Sequence, residues 1–414
     1  MSDRTFRTGP DIAAPFPPMA QRFAAMLGRV LQRADTGAIR IDLPDGRTLK
    51  KQASGQGPSA HLAIRDWRAL KKLFFGGHNG FAEAYMDGLI DMVSPTDLFH
   101  WFLANERALA GGTMGPRVGR FMQRLYHIMR PNSRRGAQRN IAYHYDLGNS
   151  FYESWLDDSM TYSSALFERM DAPLEAAQHS KYRTHADWLD LTPGMDVLEI
   201  GCGWGGFAEV AVREYGARHT GITISRAQHD FAKTRLTALG APEAIRFQDY
   251  RDTGGLYDRI ASIEMFEAIG ERQWPVFFDT IRKRLKPGGM ATVQVITIEE
   301  DRFKRYRGGA DFIQRYIFPG GMLPSPERFQ AAAEAAGLVI DKTLTFGRSY
   351  AETLRRWRDR FDAAWPRLVD LGFDERFRRM WLYYLTYCEA GFDAGSIDVA
   401  IYRLRPEPNG HPAA

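Results

Sequence analysis

Apolar and polar positions change rhythm along the 414-residue chain, and the changes mark out its parts. Residues 1–18 carry Pro10, Pro15, Pro17 and Pro18 with little periodicity and read as a flexible leader. From 19 onward the pattern alternates: helical spacing over 19–33, strand patterns over 38–43 and 48–52, then helical stretches bearing ALKKLFF and TDLFHWFLANERAL. This predicts a small mixed α+β amino-terminal domain over 19–110. Gly111, Gly112, Gly115 and Pro116 interrupt it, and 111–139 is a basic linker. Within the linker Val118, Phe121, Met122, Leu125 and Met129 fall on one face of a predicted amphipathic helix. From Thr192 the rhythm becomes β-α alternation: MDVLEI, HTGITI, AIRFQDY, YDRIASIEM and MATVQVITI, separated by helical segments. That alternation predicts an α/β domain over 140–404 built on a doubly wound, mostly parallel sheet, with 405–414 as a flexible tail.

Composition narrows the setting. With 44% hydrophobic and 13% aromatic residues the chain can bury more than one core. Cys202 and Cys388 are too few for a disulfide scaffold or a multi-cysteine zinc site and suit a reducing cytoplasm. No run reaches the roughly 18–20 apolar residues that a membrane span needs, so membrane contact is expected to be peripheral. The net charge of +5 is unevenly spread: residues 1–150 hold 21 Lys+Arg against 12 Asp+Glu. No acidic residue lies between Arg107 and Tyr145, a stretch that carries Arg117, Arg120, Arg124, Arg130, Arg134, Arg135 and Arg139. The first third therefore looks built to face an anionic surface. Without a base-reading motif or interleaved aromatic and basic residues, nucleic acid is not the expected partner, and an anionic bilayer is.

The strongest local signal is VLEIGCGWGGF at 197–207, an apolar strand running into Gly201, Gly203 and Gly206 and then a helix. Glycines at this spacing let a ligand approach the backbone, as in dinucleotide sites, so NAD is one reading. Glu199, two residues before the first glycine, can take the ammonium of S-adenosylmethionine, which is the other. The second strand ends in Thr223, Ile224 and Ser225 with no acid for a ribose diol. Asp249 and Tyr250, after the third strand, offer an acceptor and a ring for an adenine. His144 is more readily structural than catalytic, and Cys202 is assigned no chemistry.

Further motifs add to the turn: NIAYHYDLGNSFYESWLDDSMTYSSALF at 140–167, GITISRAQ at 221–228, MFEAIG at 265–270, DFIQRYIFPGGMLPS at 311–325 and YAETLRRW at 350–357. Together, in this order, they resemble the cyclopropane-fatty-acyl-phospholipid synthase family, from about residue 75, where GFAEAYMDG is similar to the family's amino-terminal domain, to about 403. The resemblance implies a Rossmann-like methyltransferase domain that uses S-adenosylmethionine on double bonds of phospholipid acyl chains. It also implies a smaller domain for lipid engagement or homodimer formation, and an enzyme on the cytoplasmic, inner face of the membrane. Cofactor contacts carried over by motif fall on Tyr162, Ser163, Gly201, Thr223 and Gln228. The last two are an uncharged pair in place of the missing acid.

Methylating an alkene leaves a carbocation, which aromatic faces suit; Phe151, Tyr152, Tyr162, Phe167, Tyr316, Phe318 and Tyr350 are candidates. A base must then remove a proton. In the family that base is a bound bicarbonate, and its ligand positions correspond to Glu267, Tyr350, the backbone of Ile296, Ser164 in place of a cysteine, and Gln294 in place of a histidine. Serine and glutamine can still hydrogen bond an oxyanion. Glu264 stands where many synthases have a small residue and is a candidate alternative base. The expected product is a cyclopropane acyl chain. The alternatives are a methyl-branched unsaturated chain and a decayed, lipid-binding protein.

Overall fold

A computed structural model describes residues 17–110 and 147–407, and the chain divides into two units, Met1–Pro116 and Arg117–Ala414. Residues 1–16 of the leader, the basic linker 111–139 with its expected amphipathic helix, His144 and residues 408–414 lie outside the described residues.

The first unit is a four-stranded sheet with helices. Strands β1 (Thr36–Asp42), β2 (Thr48–Gln52), β3 (Gly55–Ile64) and β4 (Ile90–Met92) lie in the order β2-β1-β3-β4. β1 and β2 form an antiparallel hairpin, β3 runs parallel to β1, and β4 closes the sheet antiparallel to β3. The hydrophobic pattern does not announce β3, because Gly55, Gly57 and Pro58 fill its first half and only its second half is buried. The helix Pro95–Ala104 starts on Ser94, whose hydroxyl accepts the Asp97 N–H, with proline in its first turn. Buried Asn105, at the end of that helix, ties it to the sheet: its Oδ1 accepts the main-chain N–H groups of Asp35 (3.0 Å) and Thr36 (3.1 Å), and its Nδ2 donates to Thr36 O.

The second unit carries a seven-stranded sheet, β5 (Asp196–Ile200), β6 (Arg218–Thr223), β7 (Ile245–Phe247), β8 (Tyr257–Ile263), β9 (Leu285–Ile298), β10 (Leu338–Thr345) and β11 (Ile397–Pro406), ordered β10-β11-β9-β8-β5-β6-β7. The five strands foreseen by the pattern are parallel to one another, and β10 and β11 add antiparallel. Parallel strands are covered on both faces, so most positions of β5 and β9 are buried, with Glu199 and Gln294 as polar residues among apolar ones. β10 escapes the pattern because it is an edge strand with mostly exposed positions. β11 runs to Pro406, so the ordered domain extends past the expected boundary at 404 into the expected tail.

Helices cover both faces. Leu174–Trp188 and Gly206–Arg213 pack Tyr182, Ala186, Phe207 and Val210 against Val197 and Ala261. On the other face Trp274–Arg284 and Pro326–Ala335 bury Phe277, Ile281 and Phe329 against Leu198, Ile260 and Val293. Gly347–Ala363 and Glu375–Asp393 bring Trp357 and Trp381 to Trp155, which lies 5.8 and 6.0 Å from them by ring centroids. Among the described residues no helix is long and apolar enough to cross a membrane.

The strand order reverses between β8 and β5, and the carboxyl ends of the strands at such a switch point are where sheets of this kind place ligands. The loop after β8 is anchored there by Phe266, fully buried among Trp274, Phe277, Phe278 and Phe329 at 5.1–5.5 Å between ring centroids. Phe266→Ala is expected to lower unfolding free energy by about 3–5 kcal/mol, read from urea denaturation.

Candidate active site

β5 ends in a turn whose backbone only glycine adopts without strain: Gly201, Gly203 and Gly205 have φ of +83°, +52° and +84°. The glycines divide the work. A Cβ on Gly201 would lie 2.8 Å from Met265 Cβ, so the loop after β8 passes directly against the turn. One on Gly206 would come within 2.5 Å of the Tyr182 hydroxyl. One on Gly203 would meet nothing within 4 Å, so the space before that residue is open to a ligand. Beneath the turn Glu199 is 2% exposed; its Oε2 lies 3.1 Å from His219 Nε2 but receives no hydrogen bond. At the end of β6 the Thr223 hydroxyl donates to Gln228 Oε1 (2.9 Å), and Ser225 caps the helix that carries Gln228. Asp249 is paired with Arg251, whose Nε donates to its Oδ1 at 2.8 Å. Tyr250 packs in the core 5.9 Å from Phe277, and burial pushes its hydroxyl up to about 12. Cys202 is buried, which holds its thiol protonated.

A second cluster sits at the ends of β8 and β9, and Glu264 is its centre. Glu264 Oε1 accepts from the Ser164 main-chain N–H (2.8 Å) and from Gln294 Nε2 (2.7 Å), and its Oε2 accepts from the Tyr350 hydroxyl (2.6 Å). The backbone of Glu264 has φ +50°, and its N–H donates to Gln294 O at 2.9 Å. Glu267 lies in the same loop; its Oε1 accepts the Ile296 N–H, and its Oε2 is buried with no partner. The Glu267 carbonyl in turn accepts Met322 N–H (2.8 Å), which seats the FPGG loop and the short π-helix Ile313–Ile317 before it. Four sequence-selected residues, Ser164, Gln294, Tyr350 and Glu264, thus meet in one set of bonds. Glu267 and Ile296 meet beside it. Ser164 enters through its main chain, because its hydroxyl donates to Ala165 O.

Comparison with known proteins accords with this geometry. Residues 132–402 match the family model described as mycolic acid cyclopropane synthetase. The chain is 37% identical over 406 residues, 94% of its length and 92% of the relative's, to tuberculostearic acid methyltransferase UfaA1 of Mycobacterium tuberculosis. It is 34% identical over 350 residues, 84% of its length and 87% of the relative's, to cyclopropane-fatty-acyl-phospholipid synthase of Escherichia coli K12. The chain belongs to the mycolic acid cyclopropane synthetase family. Among solved structures, mycolic acid cyclopropane synthase CmaA1 complexed with SAH and CTAB aligns with TM-score 0.59 at 30% identity, covering 64% of this chain and 97% of that one. The cyclopropane synthase MmaA2 from M. tuberculosis aligns with TM-score 0.60 at the same identity and coverage.

This synthetase-family chain is therefore an S-adenosylmethionine-dependent methyltransferase, which removes the NAD reading of the glycine turn. The residues present fit that cofactor. The open face at Gly203 admits it, the buried Glu199 Oε2, which receives no hydrogen bond among the described residues, suits its ammonium, and the Thr223–Gln228 pair suits its ribose hydroxyls. Bicarbonate fits poorly. The Ser164 N–H, Gln294 amide and Tyr350 hydroxyl already serve Glu264, and the Ile296 N–H serves Glu267.

Sequence reasoning missed a layer of polar residues on the inner face of the helix Leu174–Trp188. Lys181, wholly buried, donates to Ser163 Oγ (2.6 Å) and Gln178 Oε1 (2.8 Å), and Gln178 Nε2 donates to Ser163 O (2.9 Å). Burial pulls the Lys181 ammonium down to about 7, against the attraction of Glu264. His185 holds Gln294: its Nε2 lies 3.1 Å from Gln294 Oε1 and its Nδ1 lies 2.9 Å from Thr292 Oγ1. Burial drives His185 down to about 3, so it is neutral at pH 7. Because the Gln294 amide nitrogen is needed for Glu264, the imidazole proton sits on Nε2 and Thr292 donates to Nδ1. The spacing 178, 181, 185 on one helical face was the available signal.

Aromatic rings line the same region. Tyr162 has Tyr152, Trp155 and Trp357 at 5.4, 5.7 and 5.3 Å and Phe318 at 6.5 Å. Its hydroxyl lies 2.9 Å from that of Tyr384. Tyr350 stacks on Phe392 at 4.4 Å and meets Trp357 at 6.2 Å. Phe151 instead belongs to the core with Trp381 and Phe373, Phe167 lies under the Arg356 guanidinium, and Tyr316 packs on Phe312.

A methyl at Gly203 would enter the open face, so Gly203→Ala should weaken S-adenosylhomocysteine binding at least about tenfold by calorimetry while retaining the fold. Burial, then the Glu264 charge, pushes the Glu267 carboxyl from 4.5 up to about 8. Between these values the unfolded chain has released the proton that the folded chain retains, so stability falls as pH rises through this window. Glu267→Gln should flatten that part of the stability–pH curve and raise stability at pH 7.

Proposed function

We propose that this methyltransferase transfers a one-carbon unit to the double bond of an unsaturated acyl chain in a membrane phospholipid. The observation that carries the reading is the Glu264–Glu267 carboxylate pair, held in the loop that passes directly against the glycine turn. S-adenosylmethionine, when bound, supplies an electrophilic methyl group. An alkene attacking it becomes a carbocation, and the chain's own residues suit both that cation and its loss of a proton. The rings around Tyr162 and Tyr350 offer electron-rich faces to the cation. The cluster they enclose withholds water that would otherwise capture it. A neighbouring carboxylate takes the proton. The relatives support a lipid substrate through their names, and the basic amino-terminal third supports an anionic bilayer as its source, on the cytoplasmic face.

A second reading concerns the product. Serine, glutamine and glutamate at 164, 294 and 264 depart together from the resemblance that implied a cyclopropane. The relative matched over 94% of the chain is named a methyltransferase and not a cyclopropane synthase. Both points favour a methyl-branched unsaturated chain over the ring.

The test is incubation of the full chain with trideuteromethyl S-adenosylmethionine and liposomes of a monounsaturated anionic phospholipid, with mass spectrometry and NMR of the acyl chains as the readout. Methyl-derived mass gain is expected. Cyclopropyl signals with two deuteriums retained mark ring closure, and three deuteriums with a surviving alkene mark branching. No incorporation into any unsaturated lipid overturns the reading.

A further inference from the structure

We propose that the Glu264 side chain is this enzyme's own proton acceptor, built into an anion cage that leaves no place for a diffusible bicarbonate. The inference rests on the alkene-methylation reading above.

Three donors from three separate segments converge on this one carboxylate: the Ser164 N–H, the Gln294 amide and the Tyr350 hydroxyl, at 2.6–2.8 Å. Each is fixed from behind. Gln294 is oriented by His185 and that by Thr292, Tyr350 is stacked on Phe392, and the main chain after Ser164 is held by the Ala165 N–H on Thr353 Oγ1 at 3.1 Å. Against the larger upward push of burial these donors pull the Glu264 carboxyl down, whereas Glu267, which among the described residues has one main-chain donor and a buried oxygen with no partner, is pushed up to about 8. Among the described residues Glu264 Oε2 accepts only from Tyr350 and so keeps a lone pair for a further proton. Its φ of +50° is a conformation that costs a side-chain-bearing residue about 1–2 kcal/mol relative to glycine. Strain of this kind persists where the surroundings over-determine a position.

The step balances without an oxidant. The alkene π pair forms the bond to the methyl carbon, and the S–C pair stays on sulfur as S-adenosylhomocysteine is produced. The adjacent chain carbon is left cationic. Glu264 takes a proton from the methylated chain, and the released C–H pair closes the ring or forms a new double bond. The neutral acid returns its proton to water when the site opens.

The test removes the carboxylate and asks whether a small anion refills its place. Glycine is natural at +50°, so Glu264→Gly relieves backbone strain while exposing three donors; circular dichroism and S-adenosylhomocysteine binding check its fold. The full chain is titrated with ¹³C-bicarbonate and ¹³C-formate, with ¹³C line broadening as the readout, alongside turnover in carbon-dioxide-free buffer. Wild type is expected to bind neither ion and to turn over within about twofold of the same rate with or without bicarbonate, whereas Glu264→Gly binds both, loses about 10²–10⁴-fold in turnover and regains at least about tenfold with either ion. Glu264→Gln, which keeps the cage filled by a neutral amide, should be equally slow and rescued by neither. Bicarbonate binding by wild type, bicarbonate-dependent wild-type turnover, or a fully active Glu264→Gln overturns the proposal. If wild type methylates no unsaturated lipid in any buffer, the alkene reading fails, and the binding titrations still decide whether the cage belongs to Glu264.

Discussion

A carboxylate drawn out of water at the carboxyl end of a parallel sheet sets the terms for everything around it. Moving an ionised acid into protein is costly unless donors replace the lost water. Glu264 receives three, and each donor must then be satisfied and oriented in its turn. Gln294 turns its amide N–H toward Glu264 because His185 holds its carbonyl on the other side, and Thr292 holds His185. The consequence reaches the helix Leu174–Trp188, whose buried face carries glutamine, lysine and histidine where an ordinary amphipathic helix would carry leucine. That helix packs through alanines and Tyr182 between these polar positions, so the apolar architecture is shaped around one charge.

The site combines two environments that separately do opposite things to ions. The polar cluster around Glu264 gathers hydrogen-bond donors on one buried acid, while the rings around Tyr162 favour a transient positive charge. Trp357 touches both, through Tyr162 and through Tyr350. With the glycine turn on one side and the carboxylates pressed against it through Met265, a methyl donor and a proton acceptor come to share a single loop contact.

Legibility in the sequence tracked burial. The parallel strands were readable because short, apolar-rich segments alternate with helical ones, and the turn because its backbone favours glycine. β3 and β10 were not, since one begins with glycines and a proline and the other is an exposed edge. In the site, motif resemblance selected Ser164, Glu267, Gln294, Ile296 and Tyr350, and the fold gathers them, but spacing could not say who bonds to whom. Ser164 contributes main chain where a side chain was expected. Asp249, expected as a ligand acceptor, bonds to its neighbour Arg251, and Tyr250, expected as a ring for an adenine, packs in the core. Glu264 stood out as an unusual residue, yet its central position depends on Gln294, Ser164 and Tyr350, all distant in sequence.

The left-handed backbone at residue 264 also bears on how such a site could change over time. A position at φ +50° accepts glycine at least as readily as glutamate, so either residue leaves the chain trace intact. Glycine and glutamate codons differ by a single base, GGA against GAA. An enzyme that borrows its base from solution and one that carries it on its own chain are therefore neighbours in mutational space, and the intermediate between them needs no refolding.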